Sequence, residues 1–255
     1  DIFVSEGLNS LTLLQFWNSI SKYKINSLHI TPSIANALIK LNEQKKFNKE
    51  MVKELNEIIS TGSFLNKTVI DEFEKNFGIR LRSCYGTTEL GGPLTCQAWE
   101  DTFENSNVGE YLDEIKVKTE KENVNDIYNS LFVKTDFMME GYVSDYKDII
   151  ENNFSLELDD EDYFNSKDYA VIKDNKIYLK GRRKDIIKIG DEIISLESIE
   201  NEIKKIELVE DVACITREEK ILGLTIVCFC KFVENQNVIE NVNKLNKILL
   251  NKLKK

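Results

Sequence analysis

Residues 78–89 read Gly-Ile-Arg-Leu-Arg-Ser-Cys-Tyr-Gly-Thr-Thr-Glu, a short apolar segment that runs directly into a small polar one. Residues 79–84 have the pattern of a buried strand, and residues 85–89 follow without a break. In open α/β folds, ligands bind outside the carboxyl ends of the strands. This stretch therefore predicts an α/β fold with a binding site where the strand ends.

The residues before this strand alternate helical patterns with a short apolar strand. Helical spacing covers residues 11–20, 34–41, 51–58 and 68–77, and residues 25–30 predict a strand. Such alternation is typical of a parallel α/β layer, which we predict for residues 1–98 as part of a larger domain.

The pattern changes after Trp99 and again after residue 183. The segments 114–118, 130–135 and 169–180 are short and separated by polar turns, which predicts a small antiparallel β unit over residues 99–183. Residues 184–255 predict a mobile α+β module, with a helix at 196–206, strands at 209–217 and 221–232, and a final helix.

Composition and charge exclude several classes of protein. The 255 residues carry 34 Lys+Arg against 44 Asp+Glu, a formal net charge of −10, and 42% of them are hydrophobic, enough for a sizeable core. An acidic surface repels a phosphate backbone, so we expect no nucleic-acid partner. No apolar run approaches the eighteen or so residues of a membrane span, and we expect a cytoplasmic protein.

The cysteines and the single histidine limit the chemistry further. Five cysteines without a Cys-x-x-Cys pair fit reduced cytosolic thiols, and Cys228 and Cys230 are expected in the core because they share a strand face. With His29 alone, a two-histidine zinc site is excluded. We expect His29 to line a pocket or to be packed.

The polar segment after the strand has the residue types that a nucleotide requires. Tyr85 can stack on a base, and Gly86 permits a tight backbone turn. A hydroxyl of Thr87 or Thr88 can donate to a phosphate oxygen, and Glu89 can hold the Mg²⁺ that accompanies phosphate. The alternative is a polar loop with an ordinary solvated glutamate.

A predicted hairpin supplies a second candidate site. Residues 171–173 and 176–178 flank Asp174-Asn175, a favoured two-residue turn, so that Asp168 falls opposite Gly181 and beside Arg182. A carboxylate next to a guanidinium suits a ribose diol and a nearby phosphate, although a surface ion pair is the simpler interpretation. Residues 181–190, which follow, are charged enough to be either a solvated linker or a hinge.

Three segments, in this order, resemble motifs of one superfamily. Residues 85–89 are similar to its Tyr-Gly-x-Thr-Glu motif, residues 166–168 to its Thr-Gly-Asp, and residues 181–200 to its hinge signature. Looser matches are residues 58–65 and 107–109. The chain thus resembles the adenylate-forming (AMP-binding) superfamily, which includes acyl-CoA synthetases and the adenylation domains of peptide synthetases.

The resemblance implies a function and a set of site residues. It implies an ATP- and Mg²⁺-dependent ligase that converts a small-molecule carboxylate into an acyl-adenylate. A thioester on coenzyme A, or on the phosphopantetheine of an acyl- or peptidyl-carrier protein, would follow. By the same resemblance Tyr85 packs on adenine, Thr88 binds the α-phosphate, Glu89 binds Mg²⁺, Asp168 and Arg182 hold the ribose, and Lys184 is the hinge pivot.

The chain also departs from the superfamily pattern. Lys167 stands for the Gly of Thr-Gly-Asp, Asp191 for a second Gly after the hinge, and Leu196 and Ser198 for the Pro and first Glu of Pro-x-Glu-Ile-Glu. The phosphate loop ending in Pro-Lys-Gly and the C-terminal catalytic Lys are missing, so we expect the later part of an enzyme that does not catalyse adenylation alone. The alternative is a non-catalytic nucleotide-binding or scaffold protein of the same fold.

Overall fold

Two units make up the chain in a computed structural model, residues 1–180 and residues 181–255, and each has a core of its own. The structure describes residues 10–42, 47–63, 65, 67–101, 106–124, 126–145, 154–189, 192–206, 208–219, 223–233 and 238–253. Within these residues no helix has the length and apolar character needed to cross a membrane. The departure noted at Asp191 lies outside the described residues.

The first unit alternates helices and strands as far as β3 and continues mainly in strands. Its helices are α1 (Ser10–Leu14), α2 (Phe16–Tyr23), α3 (Pro32–Asn42) and α4 (Lys67–Phe77). Its strands are β1 (Ser27–Ile30), β2 (Glu57–Ser60), β3 (Leu81–Thr87), β4 (Gly92–Cys96), β5 (Asn107–Tyr111), β6 (Lys116–Glu120), β7 (Ser130–Lys134), β8 (Phe164–Lys173) and β9 (Lys176–Arg182), whose last two residues belong to the second unit.

These nine strands form one sheet in the order β1-β2-β3-β4-β5-β9-β8-β7-β6. β1, β2 and β3 run parallel, with Ile58 opposite Leu28 on one side and Leu81 on the other. From β3 onward the neighbours β3-β4-β5-β9 and β6-β7-β8 pair antiparallel. The predicted mixture of a parallel α/β layer and antiparallel strands is confirmed. Both parts share a single sheet because β3 pairs with β2 on one edge and β4 on the other.

The core of the parallel layer depends on the spacing within α4. Ile70, Phe73 and Phe77 recur every three or four residues, lie on one helix face and are almost fully buried. They pack with Ile58 and Leu81 of the sheet, and burial of each such side chain stabilises the fold by about 1.5–3 kcal/mol. The helix thus holds β3 from one face.

One prediction in this layer is wrong, and a second is wrong in part. Residues 51–58 do not form a helix: a 3₁₀ turn at Lys49–Val52 is followed by β2. Because β2 pairs along both edges, sheet pairing overrides an apolar spacing that also suits a helix. His29 is exposed and therefore not packed, because β1 is the edge strand and its next residue, Ile30, takes the buried position; that His29 lines a pocket stays a prediction.

A second core lies under the antiparallel strands and includes Leu131, Val133, Ala170 and Ile177. The turn between β8 and β9 is the predicted two-residue turn. Asp174 and Asn175 have φ of 51° and 58°, the positive values that a tight hairpin turn of this kind requires. The exact opposition of Asp168 to Gly181 stays a prediction.

The second unit contains the predicted helix, two strands and final helix, preceded by a hairpin that the sequence did not predict. The hairpin consists of β10 (Ile186–Ile189) and β11 (Glu192–Ser195). The other elements are α5 (Leu196–Lys204), β12 (Val209–Glu219), β13 (Gly223–Phe232) and α6 (Val238–Leu253). Ser195 caps α5, since its Oγ accepts a hydrogen bond from the Ser198 N–H at 3.2 Å.

The core of this unit includes Leu196, Ile203, Val212 and Leu245. Cys230 packs partly buried against it, but Cys228 is exposed, so the prediction that both lie in the core is wrong for Cys228. In the described part of this unit β12 and β13 form a two-stranded sheet, and Ile215 and Phe229 are among its exposed side chains.

Candidate functional site

The predicted nucleotide motif lies in the hairpin of β3 and β4, which we call the motif hairpin (residues 81–96). Tyr85 to Thr87 continue β3 instead of forming a loop, and Thr88–Leu90 is a 3₁₀ turn. The pairing shifts by one residue at Tyr85 and Gly86, where Tyr85 faces Thr95 but Gly86 faces Pro93. A bulge of this kind turns the neighbouring side chains to a new direction.

The strands of the motif hairpin approach so closely that one position accepts no side chain. A Cβ on Gly86 would overlap the carbonyl group of Gly92 on the opposite strand. Gly91, at the tip, has a φ of +79° and lies against the carbonyl of Phe137. The backbone conformation of the motif therefore depends on these two glycines.

Tyr85 and Asp168, which are 83 residues apart in sequence, are in direct contact. Tyr85 Oη donates to Asp168 Oδ2 at 2.7 Å, and each residue is only 8% exposed. A hydrogen bond to a carboxylate at this distance is of the strong, charge-assisted kind. The structure thus brings together an aromatic ring from the first motif and the carboxylate from the second.

The turn before Asp168 explains how a lysine replaces the expected glycine. Lys167 has a φ of 61°, in the left-handed region, and its N–H donates to Asn165 Oδ1 at 2.9 Å. Ser166 Oγ donates to the Leu131 carbonyl at 3.0 Å and accepts from the Asp168 N–H at 3.2 Å. The backbone at residue 167 thus has the left-handed conformation that glycine adopts freely, and Ser166 holds the Asp168 N–H.

Glu89 is held by a residue that the sequence did not point to. Its carboxylate accepts a hydrogen bond from the Tyr142 hydroxyl, and this bond raises the pKa of Tyr142. The Glu89 carbonyl also accepts from the Met139 N–H at 3.0 Å. Residues 139–142 thus brace the tip of the motif hairpin.

The two threonines of the motif have different surroundings. Thr88 is exposed at the start of the 3₁₀ turn. Thr87 Oγ1 is buried and, within the described part of the chain, has no hydrogen-bond partner. A buried hydroxyl without a partner costs about 1–3 kcal/mol.

Arg182 and Lys184, the other two predicted site residues, belong to the second unit. Arg182 ends β9, and Lys184 is exposed in a 3₁₀ turn at Arg183–Asp185. In this region burial, followed by the like charges of Asp185 and Glu200, raises the pKa of Glu197. The roles predicted for Arg182 at the ribose and Lys184 as a pivot stay predictions.

Sequence reasoning missed Tyr142 and the supporting hydroxyl of Ser166. Tyr142 contacts the motif across 53 residues of sequence, and no local spacing predicts such a contact. Ser166 is predicted only as a member of the second motif. Its bond with the Asp168 N–H is local, whereas its bond to the Leu131 carbonyl depends on the position of β7 beside β8.

Comparison with known proteins identifies relatives of the chain. The AMP-binding enzyme family profile matches residues 2–143. The uncharacterized acyl-CoA ligase YtcI of Bacillus subtilis (strain 168) is 39% identical over 70 residues, which are 28% of this chain and 13% of that protein. The 2-succinylbenzoate–CoA ligase of Staphylococcus epidermidis (strain ATCC 12228 / FDA PCI 1200) is 27% identical over 228 residues, 87% of this chain and 44% of the ligase.

Solved structures share the fold. McyG A-PCP complexed with phenylalanyl-adenylate superposes with a TM-score of 0.74 at 17% identity, covering 94% of this chain and 46% of that one. The anthranilate CoA ligase AuaEII in complex with anthranoyl-AMP gives 0.68 at 13% identity, covering 91% of this chain and 44% of that one. The chain spans less than half the length of each of these relatives. Since the family profile covers more than half of the chain, the chain belongs to the AMP-binding enzyme family.

Proposed function

We propose that the protein to which these residues belong is an ATP- and Mg²⁺-dependent ligase that forms an acyl-adenylate. A carboxylate oxygen of the substrate would attack the α-phosphorus of ATP, and the bond to pyrophosphate would break as the new P–O bond forms. Its relatives named as CoA ligases and the neighbours that hold anthranoyl-AMP and phenylalanyl-adenylate support this class of reaction.

The observation that carries the proposal is the contact between Tyr85 and Asp168. An adenosine presents a flat base and a ribose diol a few ångströms apart, and it needs an aromatic face beside an acceptor carboxylate. Tyr85 supplies the aromatic ring and Asp168 the carboxylate, and a hydrogen bond of 2.7 Å joins the two side chains. We infer that Tyr85 covers the base and that Asp168 accepts from the ribose hydroxyls, with Arg182 assisting.

The phosphate side of the nucleotide would lie at the tip of the motif hairpin. Thr88 has an exposed hydroxyl there, and the unpartnered Thr87 Oγ1 lies one residue before it. Glu89 follows with a carboxylate. In the described residues no group of three or more His, Cys, Asp or Glu side chains is placed to hold a metal. Mg²⁺ at nucleotide sites takes one or two carboxylates and completes its shell with phosphate oxygens and water, so Glu89 fits that role.

Catalysis by these residues would consist of positioning and charge stabilisation. Thr88 would orient the α-phosphate, and Glu89 would fix the ion that neutralises phosphate charge. Lys184 would be the pivot of a rearrangement that follows adenylation. We propose coenzyme A or a carrier-protein phosphopantetheine as the acceptor, in keeping with the CoA ligases and the A-PCP protein among the relatives.

The first test measures AMP binding by calorimetry on this chain. Asp168→Asn keeps the shape of the side chain but removes its charge, and we expect the affinity for AMP to fall about tenfold or more. Asp160→Asn is the matched control, since Asp160 is an exposed acid in the same unit, and we expect no change. Equal affinity of the two variants would rule out the proposed ribose contact.

The second test measures carboxylate-dependent pyrophosphate exchange on the longer protein that includes this chain. Glu89→Gln should raise the Mg²⁺ concentration needed for half-maximal exchange, and Thr88→Ala should lower kcat about 10²–10³-fold, as for loss of one stabilising donor. Robust exchange in Thr88→Ala would remove Thr88 from the catalytic groups.

A further inference from the structure

Two cysteines lie opposite each other at the base of the motif hairpin. Cys84 on β3 pairs with Cys96 on β4, and the whole motif, residues 85–89, lies in the chain between them. Cys84 is buried and Cys96 is partly exposed, and both are free thiols. A covalent bond between them would close the hairpin around the motif.

The pairing places these cysteines at a distance that a disulfide can bridge. The Gln97 N–H donates to the Ser83 carbonyl at 2.9 Å, and the Ser83 N–H donates to the side-chain Oε1 of Gln97 at 2.8 Å, so these two residues occupy a hydrogen-bonding position of the ladder. Pairs alternate along antiparallel strands, so Cys84 and Cys96 form the non-hydrogen-bonded kind, with Cα atoms about 4.5 Å apart. That distance falls within the range of about 4.4–6.8 Å observed for disulfides.

The two thiols also differ in chemical character. A hydrogen bond from the Cys84 thiol lowers the pKa of Cys96 to about 7, against the opposing effect of burial and with the help of the positive charge of Arg82. The same hydrogen bond, together with burial, raises the pKa of Cys84. Arg82 is held nearby by Glu57, whose carboxylate it meets at 2.7 Å, and the negative charge of Glu57 acts in the opposite direction on the pKa of Cys96. Cys96 therefore has the character of a nucleophile, and Cys84 keeps its proton.

We propose that Cys84 and Cys96 form a redox-sensitive pair, in which hydrogen peroxide converts the two thiols to a disulfide that weakens nucleotide binding at the adjacent Tyr85. The Cys96 thiolate attacks peroxide, the O–O bond breaks, and sulfenic acid and hydroxide form. The Cys84 sulfur then displaces the hydroxyl group, giving the disulfide and water. Two electrons pass from the sulfurs to peroxide, which leaves as water.

The effect on nucleotide binding rests on the proposed function and follows from distances. Cβ atoms of a non-hydrogen-bonded pair lie at the short end of the range of about 4.5–5.5 Å, and a disulfide draws them to about 3.8 Å. Tyr85 is the next residue along β3 and lies at the bulge. The closing movement passes into the backbone beside Tyr85 and should lengthen its 2.7 Å hydrogen bond to Asp168, so we expect the oxidised chain to bind AMP about tenfold more weakly.

A second pair of opposed cysteines serves as a comparison for Cys84 and Cys96. Cys214 and Cys228 face each other in β12 and β13, with their sulfur atoms 3.1 Å apart. Burial, followed by the hydrogen bond with Cys228, raises the pKa of Cys214, and the hairpin carries none of the predicted nucleotide residues. Replacing the exposed Cys228 with serine therefore removes a competing cross-link without touching the motif hairpin.

The experiment treats the Cys228→Ser chain with hydrogen peroxide at pH 7 and follows intact mass and peptide maps. We expect the loss of two hydrogens, a peptide that joins Cys84 to Cys96, and reversal by dithiothreitol. In Cys84→Ser/Cys228→Ser, Cys96 should stop at the sulfenic acid and react with dimedone. Oxidation of Cys96 to sulfinic acid while Cys84 stays a free thiol would overturn the pairing.

AMP binding is then compared between the oxidised and reduced Cys228→Ser chain. A tenfold loss that dithiothreitol restores supports the coupling, and equal affinities overturn it. If the reduced chain binds no AMP, the proposed function fails, but the joined peptide still decides whether the two cysteines form a redox pair.

Discussion

The motif hairpin and the hairpin of β12 and β13 have the same topology but different regularity. In β12 and β13 the pairing shifts once, between Val209 and Asp211 at one end, and then runs unbroken from Asp211 opposite Lys231 to Glu219 opposite Gly223. In the motif hairpin it shifts after two pairs, at Tyr85 and Gly86. In a regular ladder the backbone N–H and C=O groups of the two strands pair with each other. At a bulge this pairing is interrupted and the neighbouring side chains change direction. Each irregularity of the motif hairpin lies beside a residue that the proposed function uses.

The largest effect should come from adding a side chain at the point where β3 and β4 lie closest together. Gly86→Ala places a methyl group against the Gly92 carbonyl, and the resulting strain should lower the free energy of unfolding by about 3 kcal/mol and abolish AMP binding. Ala213→Val adds atoms to an exposed position of the regular hairpin and should change stability by less than about 0.5 kcal/mol. Urea unfolding measures both, and similar losses would show that regularity is not what distinguishes the two hairpins.

A smaller effect should follow from removing one hydroxyl group. Tyr85→Phe leaves the buried Asp168 carboxylate without its 2.7 Å donor, so the free energy of unfolding should fall by about 2 kcal/mol. AMP affinity should change less than in Asp168→Asn, because the aromatic ring remains. Tyr128→Phe keeps the ring contact with Tyr169 and is the control. A Tyr85→Phe chain as stable as this control would mean that the hydrogen bond contributes nothing.

The sequence predicts those structural elements best that depend only on residues close together in the chain. The turn at Asp174-Asn175 follows from the conformational preferences of two residues, and α4 follows from the spacing of Ile70, Phe73 and Phe77. The strand before the motif is predicted correctly, but Tyr85 to Thr87 are expected beyond its carboxyl end, whereas they continue β3. The bulge that keeps Tyr85 to Thr87 in β3 depends on the opposite strand, which local spacing does not report.

Contacts between distant segments were beyond prediction from the sequence. β2 is a strand because β1 and β3 flank it, although residues 51–58 have a helical spacing. The hydrogen bond of Tyr142 to Glu89, and the opposition of Cys84 to Cys96, depend likewise on tertiary placement. Family resemblance supplied Tyr85 and Asp168 as site residues, but their mutual hydrogen bond became visible only in the structure.

The two hairpins should also differ in how the reactivity of their cysteines depends on pH. The pKa of Cys96 is lowered to about 7 by its hydrogen bond with Cys84, so its thiolate forms, and its alkylation by iodoacetamide accelerates, between pH 6 and pH 8. The pKa of Cys214 is raised by burial, so its alkylation should be about tenfold slower at pH 7. Cys84→Ala removes the hydrogen bond and should move the Cys96 profile to higher pH. An unchanged profile would assign the reactivity to Arg82 instead.

The smallest effect on stability is expected in β8, where Lys167 has a positive φ and directly precedes Asp168. Its φ of 61° is strained for lysine and free of strain for glycine, so Lys167→Gly should raise the free energy of unfolding by about 0.5–1 kcal/mol. Lys173→Gly changes the same residue type at an exposed position of the same strand, where φ is not positive, and should lower it by about 0.5–1 kcal/mol. AMP affinity should be unchanged in Lys167→Gly, because Ser166 still holds the Asp168 N–H. If urea unfolding shows that Lys167→Gly and Lys173→Gly lower the free energy of unfolding equally, the positive φ at Lys167 does not destabilise the fold.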